Sequence, residues 1–224
     1  MGKSDDRRKD KARAEANLGE RVRVTLQVYR EVDATNATTL ARLATTNITP
    51  TCTEGCSFCC RLEIPVTRAE AETLVAWLVE HRADELAAIR ERLRGWLAWY
   101  RGDYVARVAG GMERADVFFH HGVPCALLDG TRCGAYPARP VTCRNHYVTS
   151  PVEVCDPARG NGEPDGIDAI GIAARDHVVE IRRAIERQGG NWLASVHLLQ
   201  EWLIHLLDVE REPWRGSPRL YLGG

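Results

Sequence analysis

The chain has 224 residues, a length that suits one domain with additions or two small domains. Its formal net charge of -1 gives no overall attraction to nucleic acid or to an anionic membrane. The 44% of hydrophobic residues suffices to bury a core.

The sequence shows no targeting segment. Its first residues lack the apolar region of a secretory signal, no run approaches the ~18 apolar residues of a membrane span, and Asp6 breaks the myristoylation pattern. We therefore expect a cytoplasmic protein with no membrane or nucleic-acid partner. In a reducing compartment, eight cysteines are more typical of metal ligands or catalytic thiols than of disulfides.

Residues 1–47 combine a basic tail with helical patterning. Six Lys or Arg residues stand against three Asp in the first fourteen positions, which is typical of a solvated, frayed terminus. Val24, Val28 and Leu40 recur at loose helical spacing and predict one or two helices. Pro50 follows as a helix breaker.

Four cysteines then occur within nine residues: Cys52, Cys56, Cys59 and Cys60. Disulfides among them would be strained and exposed thiols would oxidise, whereas a soft metal or an iron–sulfur cluster uses several thiolates at once. The Cys-x2-Cys step from Cys56 to Cys59 lets both sulfurs face one ion from a single turn. Because neighbouring side chains tend to diverge, Cys60 is open to three roles: ligand of a second metal, exchangeable ligand or unligated thiol.

Two helices are predicted between this cysteine group and the next. Thr67 and Glu70 fit a capping box, which marks a helix start, and Leu74 and Leu78 follow on one face. After a break near Asp84, apolar residues recur at three- and four-residue steps as far as residue 100. These stripes predict core packing and give no sign of a cofactor pocket.

A second cysteine group lies in residues 122–160, where prolines and turn residues are frequent. An Asp-Gly turn predicts a tight β-hairpin that brings Cys125 and Cys133 near each other. Cys143 and Cys155 follow at wider spacing, which suits ligands recruited from loops. Two zinc sites of four thiolates would use all eight cysteines, and one 4Fe–4S cluster would use four. Burial as a small apolar side chain is the alternative, above all for Cys155.

His146, three residues after Cys143, is the histidine best placed to join the thiols. The pair would supply mixed thiolate and imidazole ligands, although a surface or hydrogen-bonded histidine is the more common role. A nucleophilic Cys143–His146 pair is a further alternative, but no oxyanion-hole signature lies beside it.

Residues 161–224 are predicted to hold a pair of helices and an irregular tail. Apolar residues line one face of the first helix, which is predicted to end at Gly189. A second helix is predicted to begin near Trp192 and to include Val196 in its apolar stripe. The tail is predicted to start at Pro213.

The spacing Cys52-x3-Cys56-x2-Cys59, with Phe58 before the last cysteine, is also the spacing by which radical SAM enzymes hold a cluster. Those enzymes need a half-barrel of alternating strands and helices to bind SAM. Long helices and no series of strands are predicted here, so a radical SAM barrel is disfavoured. A cluster held by the same spacing on another fold remains open.

Together, the two cysteine groups resemble a known family. The elements Cys52-x3-Cys56-Ser-Phe-Cys-Cys-Arg and Tyr136-x2-Arg139-Pro-x2-Cys143-Arg have the order and spacing of the YkgJ-like, zinc- or iron-chelating cysteine-cluster family. The resemblance covers about residues 50–150 and implies a small cysteine-rich helical domain that binds metal. The cluster is also similar to that of flagellin lysine N-methylases, which keeps SAM-linked methylation chemistry in consideration.

Two positions depart from the usual family pattern. The first cysteine gap has three residues rather than two, which bears on the ligand set, and His146 replaces an aromatic residue, which bears on the metal. By the resemblance, we expect Arg61, Tyr136, Arg139 and Arg144 to be cofactor-binding residues. Their guanidinium groups can donate hydrogen bonds or charge to a net-negative thiolate site, and pairing with surface carboxylates is the alternative.

The sequence therefore predicts a mainly α protein. A small, helical, cysteine-rich domain with metal-binding loops and a short β-hairpin is expected over residues 48–160, with flanking helices in residues 1–47 and 161–224. We expect a metal-binding protein that holds a 4Fe–4S cluster or zinc, with iron–sulfur slightly favoured by the clustered spacing. The alternatives are an enzyme that uses the centre for methyl transfer or redox chemistry on a protein or small molecule, and a structural zinc module for a protein partner. Whether the protein is an enzyme is left open. The predicted metal ligands are Cys52, Cys56, Cys59, Cys60, Cys125, Cys133, Cys143, Cys155 and His146.

Overall fold

The computed structural model describes residues 3–191 and 193–209. Its α-helices are α1 (Lys3–Ala44), α2 (Arg68–His81), α3 (Leu86–Trp99), α4 (Val105–Ala109), α5 (Arg114–His121), α6 (Val141–Asn145), α7 (Val152–Cys155), α8 (Asp168–Arg187) and α9 (Leu199–Leu206). Short 3-10 turns cover Phe58–Arg61, Ala83–Glu85, Tyr136–Ala138 and Leu193–Ser195, and a π-helical turn covers Tyr100–Tyr104. The strands are β1 (Pro65–Thr67), β2 (Leu128–Asp129), β3 (Arg132–Cys133) and β4 (Val196–Leu198). The prediction of a mainly α chain with a short β-hairpin is confirmed.

Helix α1 is a single helix of 42 residues. We predicted one or two helices after a frayed terminus, but helical backbone already begins at Lys3. Val28 on α1 and Ile181 on α8 are buried in one apolar cluster, so packing against α8 supports the long helix. Arg21 adds a polar contact, with its Nε 2.5 Å from a carboxylate oxygen of Glu72 on α2. None of the helices in the described residues is long and apolar enough to cross a membrane.

Helix α2 begins at the predicted capping box. Thr67 Oγ1 accepts a hydrogen bond from the amide of Glu70 (3.2 Å), and the Glu70 carboxylate accepts one from the amide of Thr67 (2.9 Å). The same carboxylate also accepts a hydrogen bond from the amide of Val141, at the start of α6 (2.9 Å). Burial raises the pKa of Glu70, and the hydrogen bonds from Thr67 and Val141 oppose that shift. Glu70 therefore joins α2 to the helix that carries Cys143.

The last helix begins later than predicted. We predicted a helix from about Trp192 that included Val196, but Val196 lies in β4, and α9 begins only at Leu199. Strand β4 pairs antiparallel with β1 over three residues. This pairing holds the β-branched Val196 in a strand, although its spacing from neighbouring apolar residues is helical. Trp192 and the tail predicted from Pro213 lie outside the described residues.

Helix α8 ends close to Gly189, as the sequence predicts. Its last residue is Arg187, and Gly189 follows with a φ of +75°, a conformation that glycine adopts without steric cost. A Cβ at Gly190 would lie 2.7 Å from Cγ2 of Ile185, so this position also requires glycine.

The largest apolar core cluster of the described residues lies between α2, α3, α9 and the β2–β3 hairpin. Leu74 and Leu78 on α2 and Leu203 on α9 are buried in it, as their predicted apolar stripes require. Cys125 is buried in the same cluster. Three further cysteines pack against it: Cys60, Cys133 and Cys143. Packing in this core therefore positions Cys125, Cys133 and Cys143 of the second cysteine group and Cys60 of the first.

Candidate metal centre

The first cysteine group lies on two consecutive turns. The amide of Cys56 donates to the carbonyl of Thr53 (3.0 Å), and Gly55 supplies the positive φ (+89°) next to it. The amide of Cys60 then donates to the carbonyl of Ser57 (3.0 Å), at the start of the 3-10 turn. All eight cysteines of the chain are free thiols. The two turns therefore hold the first four cysteines in one short loop, and none of these cysteines forms a disulfide.

The N-terminal end of this loop is tied to the segment before α7. The amide of Thr51 donates to the carbonyl of Val148 (2.9 Å), and its hydroxyl donates to the carbonyl of Ser150 (2.6 Å). Helix α7 follows at once and carries Cys155 at its last position. Burial raises the pKa of Cys155, and the charges of three thiols of the first group raise it further. Cys155 therefore lies near the first group, although it is distant in the sequence.

The C-terminal end of the loop is tied to the β-hairpin. The amide of Cys125 donates to the carbonyl of Cys60 (2.7 Å), and Leu128 pairs with Cys133 across the hairpin. Burial raises the pKa of Cys125 to about 12, and the charge of Cys133 contributes to that rise. Burial also raises the pKa of Cys133, and the charge of Cys59 adds to it. The hairpin thus brings its two cysteines to the first group.

Cys143 lies at the centre of α6, whose first turn is held by Glu70. Burial raises the pKa of the Cys143 thiol, and the charges of Cys125, Cys59 and Cys133 raise it further. Cys143 therefore shares its surroundings with the hairpin thiols.

Cys59 lies between the two cysteine groups. A hydrogen bond with the Cys60 thiol is the main cause that raises the pKa of Cys59, followed by burial and by the charge of Cys60. Cys59 is in turn one of the neighbours that raise the pKa of cysteines in both groups, namely Cys52, Cys125, Cys133, Cys143 and Cys155. Both loops therefore place their thiols within electrostatic range of one sulfur.

The chemistry of these thiols fits a soft cation. Burial and neighbouring thiols raise the pKa values of Cys52, Cys133 and Cys155, so these three thiols are protonated at neutral pH in the metal-free chain, and metal loading would displace their protons. Thiolates are the ligands that zinc and iron–sulfur clusters use. Among residues 3–191 and 193–209, no three Cys, His, Asp or Glu side chains already form a coordination shell. Binding would therefore have to draw the thiols closer together.

Arg139 lies beside these thiols, and one of its hydrogen-bond donors has no partner in the described part of the chain. Its guanidinium lies 4.0 Å from the centroid of the Tyr136 ring, and its Nε is buried with no partner in the described part of the chain. Burial and thiol contacts raise the pKa of Cys59, Cys133 and Cys143, and the charge of Arg139 opposes that rise. A buried donor without a partner next to three thiols suits a hydrogen bond to a metal-bound thiolate.

Arg144 anchors the site to α1. Its buried guanidinium donates to the carboxylate of Asp33 and to the carbonyls of Pro137 (2.5 Å) and Arg139 (2.8 Å). It also lies 4.3 Å from the centroid of the Tyr29 ring. These contacts position the segment that precedes Cys143. Sequence analysis missed the roles of Asp33 and Tyr29, because 111 residues separate Asp33 from Arg144 and no local pattern marks such a contact.

Arg61 and His146 contact other features. Arg61 donates to the carbonyl of Gly122 (3.0 Å). His146 lines an open groove of about 530 Å³ between the end of α6 and the start of α8, together with Tyr147 and Arg175. Burial lowers the pKa of His146, so its ring is neutral at neutral pH. A neutral imidazole can bind a metal, and the role of His146 as a ligand stays a prediction.

Residues 51–160 match the CxxCxxCC family, which is described as a "putative zinc- or iron-chelating domain". The matched segment includes both cysteine groups, whereas α1, α8, β4 and α9 lie outside it. No curated protein and no solved structure shows a match to the chain. The similarity of this chain to the CxxCxxCC family therefore lies in residues 51–160.

Proposed function

We propose that the protein binds iron as an iron–sulfur cluster through its clustered cysteines, with zinc as the alternative metal. The observation that carries this proposal is the packing of Cys60, Cys133 and Cys143 against the apolar core cluster in which Cys125 is buried, together with the hydrogen bond from the amide of Cys125 to the carbonyl of Cys60 (2.7 Å). All eight cysteines are free thiols, and the description of the matching family names zinc or iron.

Two features favour a cluster over zinc. The first cysteine group has the Cys-x3-Cys-x2-Cys spacing that suits a cluster. In addition, Cys125 is buried in the apolar core, which would limit the access of water to a cluster bound there. A bound cluster would supply electron transfer. The chain itself would supply thiolates, the positive charge of Arg139 and an apolar wall.

The parts of the chain have different roles in this proposal. We assign metal binding to residues 48–160 and a supporting role to the flanking helices, because Asp33 on α1 holds Arg144 next to Cys143. A cytoplasmic location agrees with eight free thiols. A protein partner or substrate would bind to this metal-binding domain and its flanking helices.

An enzymatic role is the second candidate, and the groove at His146 favours it. This groove begins at the end of α6, close in sequence to Cys143, and its size suits a small molecule. Calorimetric titration of the metal-loaded protein with SAM tests the methyl-transfer version. Saturable binding of SAM would support the methyl-transfer version, and absence of binding would remove it.

A colourless protein with stoichiometric zinc would instead favour a structural zinc module.

Anaerobic purification of the full-length protein tests the main proposal. We expect a brown protein with an absorption band near ~400 nm, iron, and inorganic sulfide in a similar amount. A colourless protein with zinc and no sulfide would overturn the cluster and leave thiolate metal binding in place. Protein that contains neither iron nor zinc, and takes up neither on anaerobic reconstitution, would overturn the proposed function.

Arg139→Gln is expected to weaken metal binding by about tenfold to a hundredfold, because it removes a buried donor and a positive charge beside three thiols. Competition with a chelator of known affinity measures the effect. Arg139→Lys keeps the charge and should recover part of the affinity. Arg94→Gln is the matched control, since Arg94 is exposed and, within the described part of the chain, pairs with Glu91 on the same helix. Equal affinities of the Arg139→Gln and Arg94→Gln variants would contradict this role.

A further inference from the structure

The groove between the end of α6 and the start of α8 has a floor that the backbone holds in place. Val148 and Gly166, one from each side of the groove, form an antiparallel β-bridge. Next to this bridge, the amide of Ile167 donates a hydrogen bond to the carbonyl of Tyr147 (2.9 Å). The side chains of Val148 and Ile167 are buried. The two segments that flank the groove are therefore joined by the chain itself, as in a preformed binding site.

One wall of the groove is a face of α8. Asp168, Ile172 and Arg175 line it at helical spacing, and Gly171 lies between them. The Ile172 side chain is 61% exposed, so it offers apolar surface to an occupant of the groove. A Cβ atom at Gly171 would meet no neighbouring atom within 4 Å among the described residues. The wall therefore combines an apolar contact with open space beside it.

Arg175 places a positive charge in this groove. It is exposed, and it makes no hydrogen bond or ion pair within residues 3–191 and 193–209. Further along the same helix, Arg182 and Arg183 each pair with a glutamate. A guanidinium group without a partner can bind a carboxylate or a phosphate through two parallel hydrogen bonds. Arg175 therefore favours an anionic ligand.

Asp168 also lines the groove, but it is separated from Arg175. Seven positions along α8 place the two residues about 10.5 Å apart along the helix axis. Asp168 is the first residue of α8, where the helix dipole favours a negative charge. The groove therefore has an acidic end and a basic end, and the acidic group of a ligand would lie at the basic end.

Asn145 adds a hydrogen-bond donor on the α6 side of the groove. Its side-chain oxygen accepts a hydrogen bond from the amide group of the buried Asn36 on α1 (2.9 Å). This contact orients the Asn145 side chain, and its NH2 group has no partner in the described part of the chain. Small-molecule sites typically combine apolar walls with a few polar groups, and this groove has both.

We propose that the groove binds a small aromatic acid, whose carboxylate or phosphate contacts Arg175 and whose ring packs against Ile172 and Tyr147. The groove volume of about 530 Å³ accommodates a molecule of this size. Its lining includes no cysteine, so the inference goes beyond the proposed metal binding and does not depend on it. SAM carries a cationic sulfonium and belongs to a different class of ligand.

Fluorescence titration of the full-length protein with 8-anilinonaphthalene-1-sulfonate tests this inference. The probe is an aromatic anion whose emission rises in apolar surroundings. We expect saturable binding at one site per chain. Arg175→Gln should weaken this binding by about tenfold, because it removes a hydrogen bond between charged groups. Gly171→Leu should abolish it, because the new side chain fills open space, and leucine is a better helix former than glycine.

Two control variants separate the groove from general effects. Gly95→Leu adds the same side chain at a glycine of α3 that also has no neighbour within 4 Å of a Cβ among the described residues. Arg182→Gln removes a positive charge from α8 outside the groove lining. Both should bind the probe as the wild type does. N-phenyl-1-naphthylamine, an uncharged analogue of the probe, should bind equally to the wild type and to Arg175→Gln. Circular dichroism checks that each variant is folded.

Competition with unlabelled acids identifies the acidic group. Displacement of the probe by 1-naphthoate assigns a carboxylate, and displacement by adenosine monophosphate assigns a phosphate. Displacement by neither acid, or by SAM alone, would overturn the inference. Equal affinities of the Arg175→Gln and Arg182→Gln variants for the probe would also overturn it.

Iron and zinc content, measured on the same samples, keeps this test separate from the proposed function. Protein that holds metal but fails the probe experiments would overturn the inference about the groove and leave metal binding standing. Protein that binds neither metal but passes the probe experiments would overturn the proposed function and support the inference.

Discussion

Replacing Cys59 and Cys60 together with serine is expected to abolish stable metal binding. The two thiols lie on the 3-10 turn at the end of the first cysteine loop, and the carbonyl of Cys60 joins that turn to Cys125 through a hydrogen bond of 2.7 Å. A serine hydroxyl is a poor ligand for a soft metal, so every centre that includes this pair loses a thiolate. Losing a contact that merely supports a ligand already costs about tenfold to a hundredfold in affinity, so losing the ligands should cost more. Metal content after anaerobic purification measures the effect.

Ser57→Ala is the matched control for this variant. The Ser57 side chain makes no capping hydrogen bond to the 3-10 turn. The Ser57 carbonyl, which the substitution preserves, still accepts the hydrogen bond from the amide of Cys60. We expect wild-type metal content in this control. The same content in the double cysteine variant would show that the vicinal pair does not take part in binding.

The second large effect is expected from Glu70→Ala, which should lower the free energy of unfolding by about 3 kcal/mol. The Glu70 carboxylate accepts hydrogen bonds from the amides of Thr67 and Val141, and both residues are buried. A buried amide that loses its acceptor costs about 1–3 kcal/mol, and two amides lose theirs here. Urea denaturation of the metal-free protein measures the change. Metal affinity should fall as well, because the start of α6, which positions Cys143, is no longer held.

Glu80→Ala provides the comparison on the same helix. The Glu80 side chain is 77% exposed, and a carboxylate oxygen of Glu80 lies 3.9 Å from Nδ1 of His81, which is its ion-pair contact among the described residues. We expect its free energy of unfolding to stay within about 0.5 kcal/mol of the wild type. If Glu70→Ala were as stable as Glu80→Ala, the proposed link between α2 and α6 would be wrong.

The elements that were predicted correctly depend on short-range physics. The capping box at Thr67 and Glu70 is a local exchange of hydrogen bonds, and the Asp-Gly turn fixes a hairpin within six residues. The glycine after α8 marks its end because only glycine adopts the required φ without steric cost. Each of these signals lies within a few residues of the feature that it predicts.

The features that were missed depend on contacts between distant segments. Val196 lies in a strand because β4 pairs with β1, which is more than a hundred residues away. The hydrogen bond from the amide of Val141 to Glu70 joins α6 to α2 over 71 residues. A helical or strand period cannot encode such partners, because it reports only which face of an element is buried.

The candidate site shows the same limit. The residue types and spacings of the sequence predict thiol ligands and predict that a hairpin brings Cys125 and Cys133 together. They do not associate Cys155 with Cys52, since that association depends on the hydrogen bonds between Thr51 and residues 148 and 150. They also do not show that Arg144 is held by Asp33 on a helix outside the family segment.

The ligand atoms of the bound metal are the most direct test of the account. X-ray absorption spectroscopy at the iron or zinc edge, on full-length protein purified without oxygen, measures them. The account predicts a first shell dominated by sulfur at about 2.3 Å from the metal. A first shell dominated by nitrogen or oxygen would contradict it, as would protein that contains neither metal.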